Sequence, residues 1–131
     1  MTQLEKTGLA QVFNAPVDLL LDDTNCVQPD LVIIRETNSA IITERAIEGV
    51  PDVVVEIVSK SNPDRERFLK RQLYERFRIP EYWIVEPSTA YLQALRLENG
   101  GYVERARYDR AGTLTCPDFP TLSVGLAKVF E

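Results

Sequence analysis

Between Pro51 and the polar stretch SKSNP at 59–63 the chain reads Asp52-Val-Val-Val-Glu-Ile-Val58, and no other segment limits the fold so tightly. From Val53 to Val58 every residue but one is β-branched, and the run is short and bounded by turn-forming residues, which fits a strand buried on both faces. Its one polar interior residue is Glu56. Side chains alternate along a strand, so Glu56 shares a face with Val54 and Val58, while Val53, Val55 and Ile57 face the other way. An unpaired carboxylate is costly to bury there, so Glu56 requires a cation, a hydrogen-bond network or a solvent cleft. Spacing alone is equally consistent with a strand-end carboxylate that pairs with an arginine or leans into solvent.

A helix is predicted next. Asn62 or Ser61 serves as its cap, Pro63 suits the first helical position, and Asp64 and Glu66 sit favourably in the first turn. It runs to Phe77, with Leu69, Leu73 and Phe77 as an apolar stripe, and Pro80 stops it. Lys70 and Tyr74, four residues apart, share a face beside that stripe, so Lys70 lies at the edge of the buried side, where its long side chain can reach the sheet. A surface pair with Glu66 at i,i+4 is the plainer reading of Lys70. Lys60, in the preceding loop, is a weaker candidate for the same task.

The remaining segments read as follows. Residues 3–10 suggest one or two helical turns, 13–22 a strand interrupted by Pro16, and 27–34 a strand entered through Pro29, the last two paired as a hairpin. Residues 35–49 are a short helix or a loop. EYWIVEP at 81–87 reads as a strand, 91–109 as a hairpin turning at Asn99-Gly100-Gly101, and LSVGLAKVF at 122–130 as a terminal helix. At 131 residues this order makes one α+β domain, 1–131, around a largely β sheet.

Charge and composition narrow the chemistry. Fifteen Lys and Arg stand against 20 Asp and Glu, for a net charge of −5, so any site for a polyanion has to be local, with Arg65, Arg67, Arg71, Arg76 and Arg78 supplying the densest basic stretch. The chain has no histidine, which excludes histidine zinc sites, serine–histidine triads and cysteine–histidine nucleophiles. Cys26 and Cys116 form no metal-binding spacing. No apolar run approaches the roughly 20 residues of a membrane span and no export signal opens the chain, so the expectation is a soluble, cytoplasmic protein with no membrane partner.

Oxygen chemistry is what remains. Asp52 shares the Glu56 face but lies about 13 Å away along a straight strand, too far to share an ion with it. Asp30, at the entrance of the strand beginning QPDLVII, can project across a strand gap of about 4.8 Å toward Glu56, although a turn aspartate is an equally simple reading. Two carboxylates holding Mg²⁺ or Mn²⁺ with a lysine beside them make a sensible set for cleaving a phosphodiester. Tyr82 and Trp83 read as core or interface anchors, and Glu81 as a strand-entrance residue.

Together QPDLVII, PDVVVEIVS, the spaced Lys70 and LYERFRIPEYWIVEP resemble the Uma-type family of putative restriction endonucleases, within the PD-(D/E)XK nuclease superfamily, over residues 9–130. The resemblance implies a restriction-endonuclease-like core, a mixed β-sheet with flanking helices, and divalent-metal-dependent cleavage of DNA. By position Asp30 matches the aspartate of the PD motif and Glu56 the second acid, with the backbone carbonyl of Ile57 as the third metal ligand. The superfamily's usual lysine position is Val58 here, and Lys70 on the helix, followed by Tyr74, matches the Uma-type alternative. This chain departs from the family in having SKSN for SPST, Glu66 for an aspartate and Arg78 for a glycine. Members are usually longer at the amino terminus, so the domain reads as lacking part of that region, a layer a partner subunit could supply. Two other readings stay open: an inactive nuclease-fold structural or interaction protein, with PEYWIV or the adjacent sheet edge as a homodimer surface, and a hydrolase of a smaller phosphorylated substrate.

Overall fold

The valine run forms strand β7 (Val53–Ile57), and it lies inside the sheet. The computed structural model describes residues 2–6, 10–14, 17–58, 64–86, 91–109, 113–116 and 119–125. Before β7 come β1 (Thr2–Lys6), β2 (Ala10–Asn14), β3 (Leu19–Leu20), β4 (Cys26–Val27), β5 (Leu31–Arg35), a 3₁₀ segment (Glu36–Ile41) and β6 (Ile47–Glu48). After it come α1 (Asp64–Arg76), β8 (Glu81–Glu86), β9 (Tyr91–Glu98), β10 (Gly101–Asp109), β11 (Thr113–Cys116) and β12 (Phe119–Gly125).

Seven strands make the main sheet in the order β1-β2-β5-β7-β8-β9-β10. Only β7 and β8 are parallel, because the chain between them crosses over through α1; every other neighbouring pair is antiparallel. The fold is therefore α+β with a mixed sheet. β4-β3-β6 and β11-β12 form two small accessory sheets.

Alternation divides the core by face. Val53 and Val55 pack with Ile33, Trp83, Val85 and Ala94 on one side. Val54 packs with Val32, Ile34, Tyr82 and the helix residue Tyr74 on the other. With each of the three β7 valines at most 2% exposed, burial contributes on the order of 1.5–3 kcal/mol apiece, which holds the strand in register around its one acid.

Several expectations change. The helical turns expected over 3–10 are strand where they are described: Thr2–Lys6 pairs antiparallel with β2, because so short a segment gains more from the sheet edge than from an isolated turn of helix, and residues 7–9 lie outside the described residues. The predicted terminal helix begins as strand, since Leu122–Gly125 belong to β12 and pair with β11; residues 126–130 lie outside the described residues. The 13–22 segment yields two strands, β2 and β3, and each pairs back on a different part of the 26–35 segment. Pro16, Lys60, the cap candidates Ser61 and Asn62, and Pro63 lie outside the described residues.

The helix buries a different line from the one expected. Tyr74 is its fully buried residue, Leu73 and Phe77 are half-buried, and Leu69 is 51% exposed. PEYWIV offers no dimer edge, because β8 lies between β7 and β9; among the described residues the outermost strands of the main sheet are β1 and β10. Glu81 is fully buried but points to the face opposite Glu56, where it accepts hydrogen bonds from Trp83 Nε1 (2.8 Å) and Arg105 Nη2 (3.0 Å). It fills the structural role expected of it.

The end of α1 aligns the helix with the sheet. The N–H of Arg78 bonds the carbonyl of Glu75 (3.0 Å) and that of Ile79 bonds the carbonyl of Tyr74 (3.1 Å), the pair of bonds of a Schellman cap. Arg78 has the left-handed φ of 58° that this cap requires, which explains why glycine suits the position. Asn99 and Gly100 do the same for the β9–β10 hairpin, with φ of 52° and 84° in a two-residue turn. Replacing Arg78 with glycine is expected to stabilise the chain by about 0.5–1 kcal/mol, since left-handed strain is relieved while some unfolded-state entropy is added. Urea unfolding of the two proteins measures it.

Candidate functional site

β5 and β7 pair with Leu31 opposite Val55 and Val32 opposite Val54. One step further along the same register sets Asp30 opposite Glu56, and alternation puts both on the α1 face of the sheet. Directly opposed side chains have Cβ atoms about 5 Å apart, and like charges so placed repel. The two acids therefore meet at the end of the strand pair.

Asp30 is fixed by the backbone, its Oδ2 accepting a 2.6 Å hydrogen bond from the N–H of Ile57. The N–H and C=O of one residue in an extended strand project to the same edge. The Ile57 carbonyl thus turns toward Asp30 as well, whereas the next N–H, that of Val58, turns to Val85 (2.8 Å) on β8.

Glu56 is 4% exposed and held at both oxygens. Tyr74 donates its hydroxyl to Oε1 at 2.6 Å, and Lys70 Nζ lies 3.3 Å from Oε2. Both donors come from one face of α1, at i and i+4. Lys70 is also 3.8 Å from Glu66, so the surface pair weighed from sequence exists together with the inward contact. Burial raises the Glu56 pKa above its ordinary 4.5; the Tyr74 hydrogen bond and the Lys70 charge oppose that rise, and the Asp30 charge adds to it. Tyr74 and Tyr82 are raised too, first by burial and then by the charge of Glu56, so both stay protonated donors.

These residues line a cleft of about 180 Å³, with Asp30, Glu56 and Ile57 on the sheet side and Glu66, Arg67 and Lys70 on the helix side. Tyr82, 1% exposed, also lines it. An acidic wall thus faces a wall that carries two cations. Among the described residues no group of three or more His, Cys, Asp or Glu side chains could hold a metal ion.

The structure brings Asp30, Glu56, Ile57 and Lys70 to one cleft. It leaves Asp52 outside, where its Oδ2 accepts from the N–H of Arg35 (2.8 Å) and from Asn38 Nδ2 (3.3 Å). Of the five arginines only Arg67 lines the cleft; Arg71 pairs with Glu75 (3.2 Å) and Arg76 stacks over Phe77. Sequence reasoning placed Tyr74 beside Lys70 but assigned it no task, and the i,i+4 spacing to Lys70 was the signal for one. Tyr82 was read as an apolar anchor because the strand around it is apolar.

Compared with known families, residues 1–127 match Uma2, described as "Putative restriction endonuclease". A search of the curated proteins finds no match. Among solved structures, the crystal structure of a putative nuclease belonging to DUF820 from Anabaena variabilis ATCC 29413 is similar, with a TM-score of 0.67 and 15% sequence identity over 93% of this chain and 68% of that one. At that identity the likeness is one of fold.

A raised carboxylate pKa means that the folded chain holds the proton more tightly than the unfolded one. The stability Glu56 contributes in this way is complete below pH 4.5 and is lost as pH rises through the raised value. Glu56→Gln, which keeps the shape and removes the charge, is therefore expected to be more stable than the parent at pH 8 by about 0.5–2 kcal/mol, with the gap closing toward pH 4. Urea titrations at the two pH values read the difference.

Proposed function

The chain belongs to the Uma2 family, and on that footing we propose that it is a divalent-metal-dependent DNA endonuclease whose working residues are Asp30, Glu56 and Lys70. The observation that carries the reading is the cross-strand pair of acids, one of them buried, in a cleft shared with a lysine and an arginine.

The donors fit Mg²⁺ or Mn²⁺. Both ions take hard oxygen ligands, and Mg²⁺ keeps several waters while binding one or two carboxylates, so two acids and the Ile57 carbonyl are enough where a closed protein cage would need more. A cation there also relieves the repulsion between Asp30 and Glu56. When bound, the ion supplies Lewis-acid polarisation of a phosphate and lowers the pKa of a water molecule.

The chain's own residues do the rest. Asp30, anchored by the Ile57 amide, and Glu56, anchored by Tyr74, are held facing the cleft, and the Glu56 oxygen that Lys70 contacts becomes available when Lys70 moves away. Lys70 has its side chain 32% exposed, so it can leave Glu56 to orient water and counter the negative charge that develops on the phosphate. Arg67 and Lys70 bring two cations to a cleft that also holds Asp30, Glu56 and Glu66, so attraction for a phosphate backbone would depend on a bound cation offsetting the acids. No helix among the described residues is long and apolar enough to cross a membrane. A cytoplasmic site of action, and a homodimer built through the β1 or β10 edge, complete the proposal.

The test is cleavage of plasmid DNA in Mn²⁺ together with calorimetric Mn²⁺ binding. Asp30→Ala and Glu56→Ala are expected to abolish both signals. Lys70→Ala is expected to keep Mn²⁺ binding and to cleave at least about 10²-fold more slowly. Equal cleavage by the parent and Glu56→Ala would refute the assignment.

A further inference from the structure

Tyr82 is 1% exposed, and its ring is wedged against Tyr74 (centroids 5.1 Å apart) and Tyr102 (5.8 Å) in the core beneath α1. A buried tyrosine ordinarily gives its hydroxyl a protein partner. Both neighbours follow that rule: Tyr74 donates to Glu56 at 2.6 Å and Tyr102 to the carbonyl of Ile79 at 2.8 Å. Tyr82 departs from it, because among the described residues its hydroxyl makes no hydrogen bond. Nor is that oxygen sealed in the core, and Tyr82 lines the cleft.

The nearby acids already have donors. Glu56 takes Tyr74 on one oxygen and Lys70 on the other, and Asp30 takes the Ile57 amide. The parallel pairing sets Tyr82 beside Val54, one position on the same face before Glu56, so a ring leaning along the strand reaches toward the acids. A donor without a partner, on the floor of a cleft whose helix wall carries Arg67 and Lys70, suits an anionic oxygen.

We propose that the Tyr82 hydroxyl is a ligand-binding donor, which hydrogen-bonds a non-bridging oxygen of the DNA phosphodiester seated between the acidic and basic walls. The inference rests on the reading of the cleft as a nuclease site and adds a contact that grips the phosphate. Tyr82 orients the substrate independently of the metal, its hydroxyl a neutral donor to the phosphate beside the charged Arg67 and Lys70.

Tyr82→Phe keeps the ring packing and removes only the hydroxyl. Binding of a short fluorescent duplex is measured with Ca²⁺, which takes the same oxygen donors, alongside calorimetric Mn²⁺ binding and thermal melting. The expected result is duplex binding weaker by about tenfold, with Mn²⁺ affinity and melting temperature unchanged. In the parent protein labelled with ¹³C at the tyrosine ring carbon bearing oxygen, the Tyr82 signal is expected to move when duplex is added. Equal duplex binding by the two proteins, or an unmoved Tyr82 signal, would each overturn the proposal. Because the readout is binding, a parent that grips duplex through Tyr82 but never cuts it refutes the endonuclease reading alone. A parent that cuts while Tyr82→Phe binds equally well refutes this inference alone.

Discussion

A carboxylate that is 4% exposed in a strand of valines can persist only if the surrounding structure offsets part of its lost hydration, and the arrangement around Glu56 does so from one helix face. Tyr74 supplies a neutral donor from the core side and Lys70 a cation from the solvent side. Neither would reach Glu56 unless α1 lay across the ends of β5 and β7. The Schellman cap at Arg78 and the parallel return into β8 set that position. The acid, the crossover and the cap are one arrangement.

The sheet adds the second acid at no cost in new elements. An antiparallel register shared by β5 and β7 brings Asp30 opposite Glu56, and the amide of Ile57 keeps it there. Two like charges across a strand pair oppose folding, and a fold that retains them gains something else by it. Glu81 makes the contrast. Also a buried glutamate, it faces the other side of the sheet and is paired with Arg105 and Trp83. What separates a site acid from a structural one in this chain is a single step in strand parity.

Much of this could be read from the residues. The valine run fixed β7 and the parity of Glu56, and strand spacing was enough to exclude Asp52 and favour Asp30. Proline and glycine punctuation placed α1 and the Asn99-Gly100 turn. The misreadings share a cause: residues 3–6 and 122–125 are weakly patterned segments whose state is decided by pairing with the neighbouring strands β2 and β11, which the propensity of each segment taken alone does not record. Leu69 looked like core because helical periodicity gives the apolar stripe but not the side from which the sheet approaches. Tyr74 and Tyr82 sit in apolar surroundings, and only the coordinates distinguish a hydroxyl with a partner from one without.

A nuclease centre in this cleft requires Asp30 and Glu56 to share one ion. Crystals soaked in Mn²⁺ and measured at the manganese absorption edge test this directly. An anomalous peak is expected between the two carboxylates and beside the Ile57 carbonyl. A clean map at that position, or manganese bound only elsewhere on the surface, would contradict it.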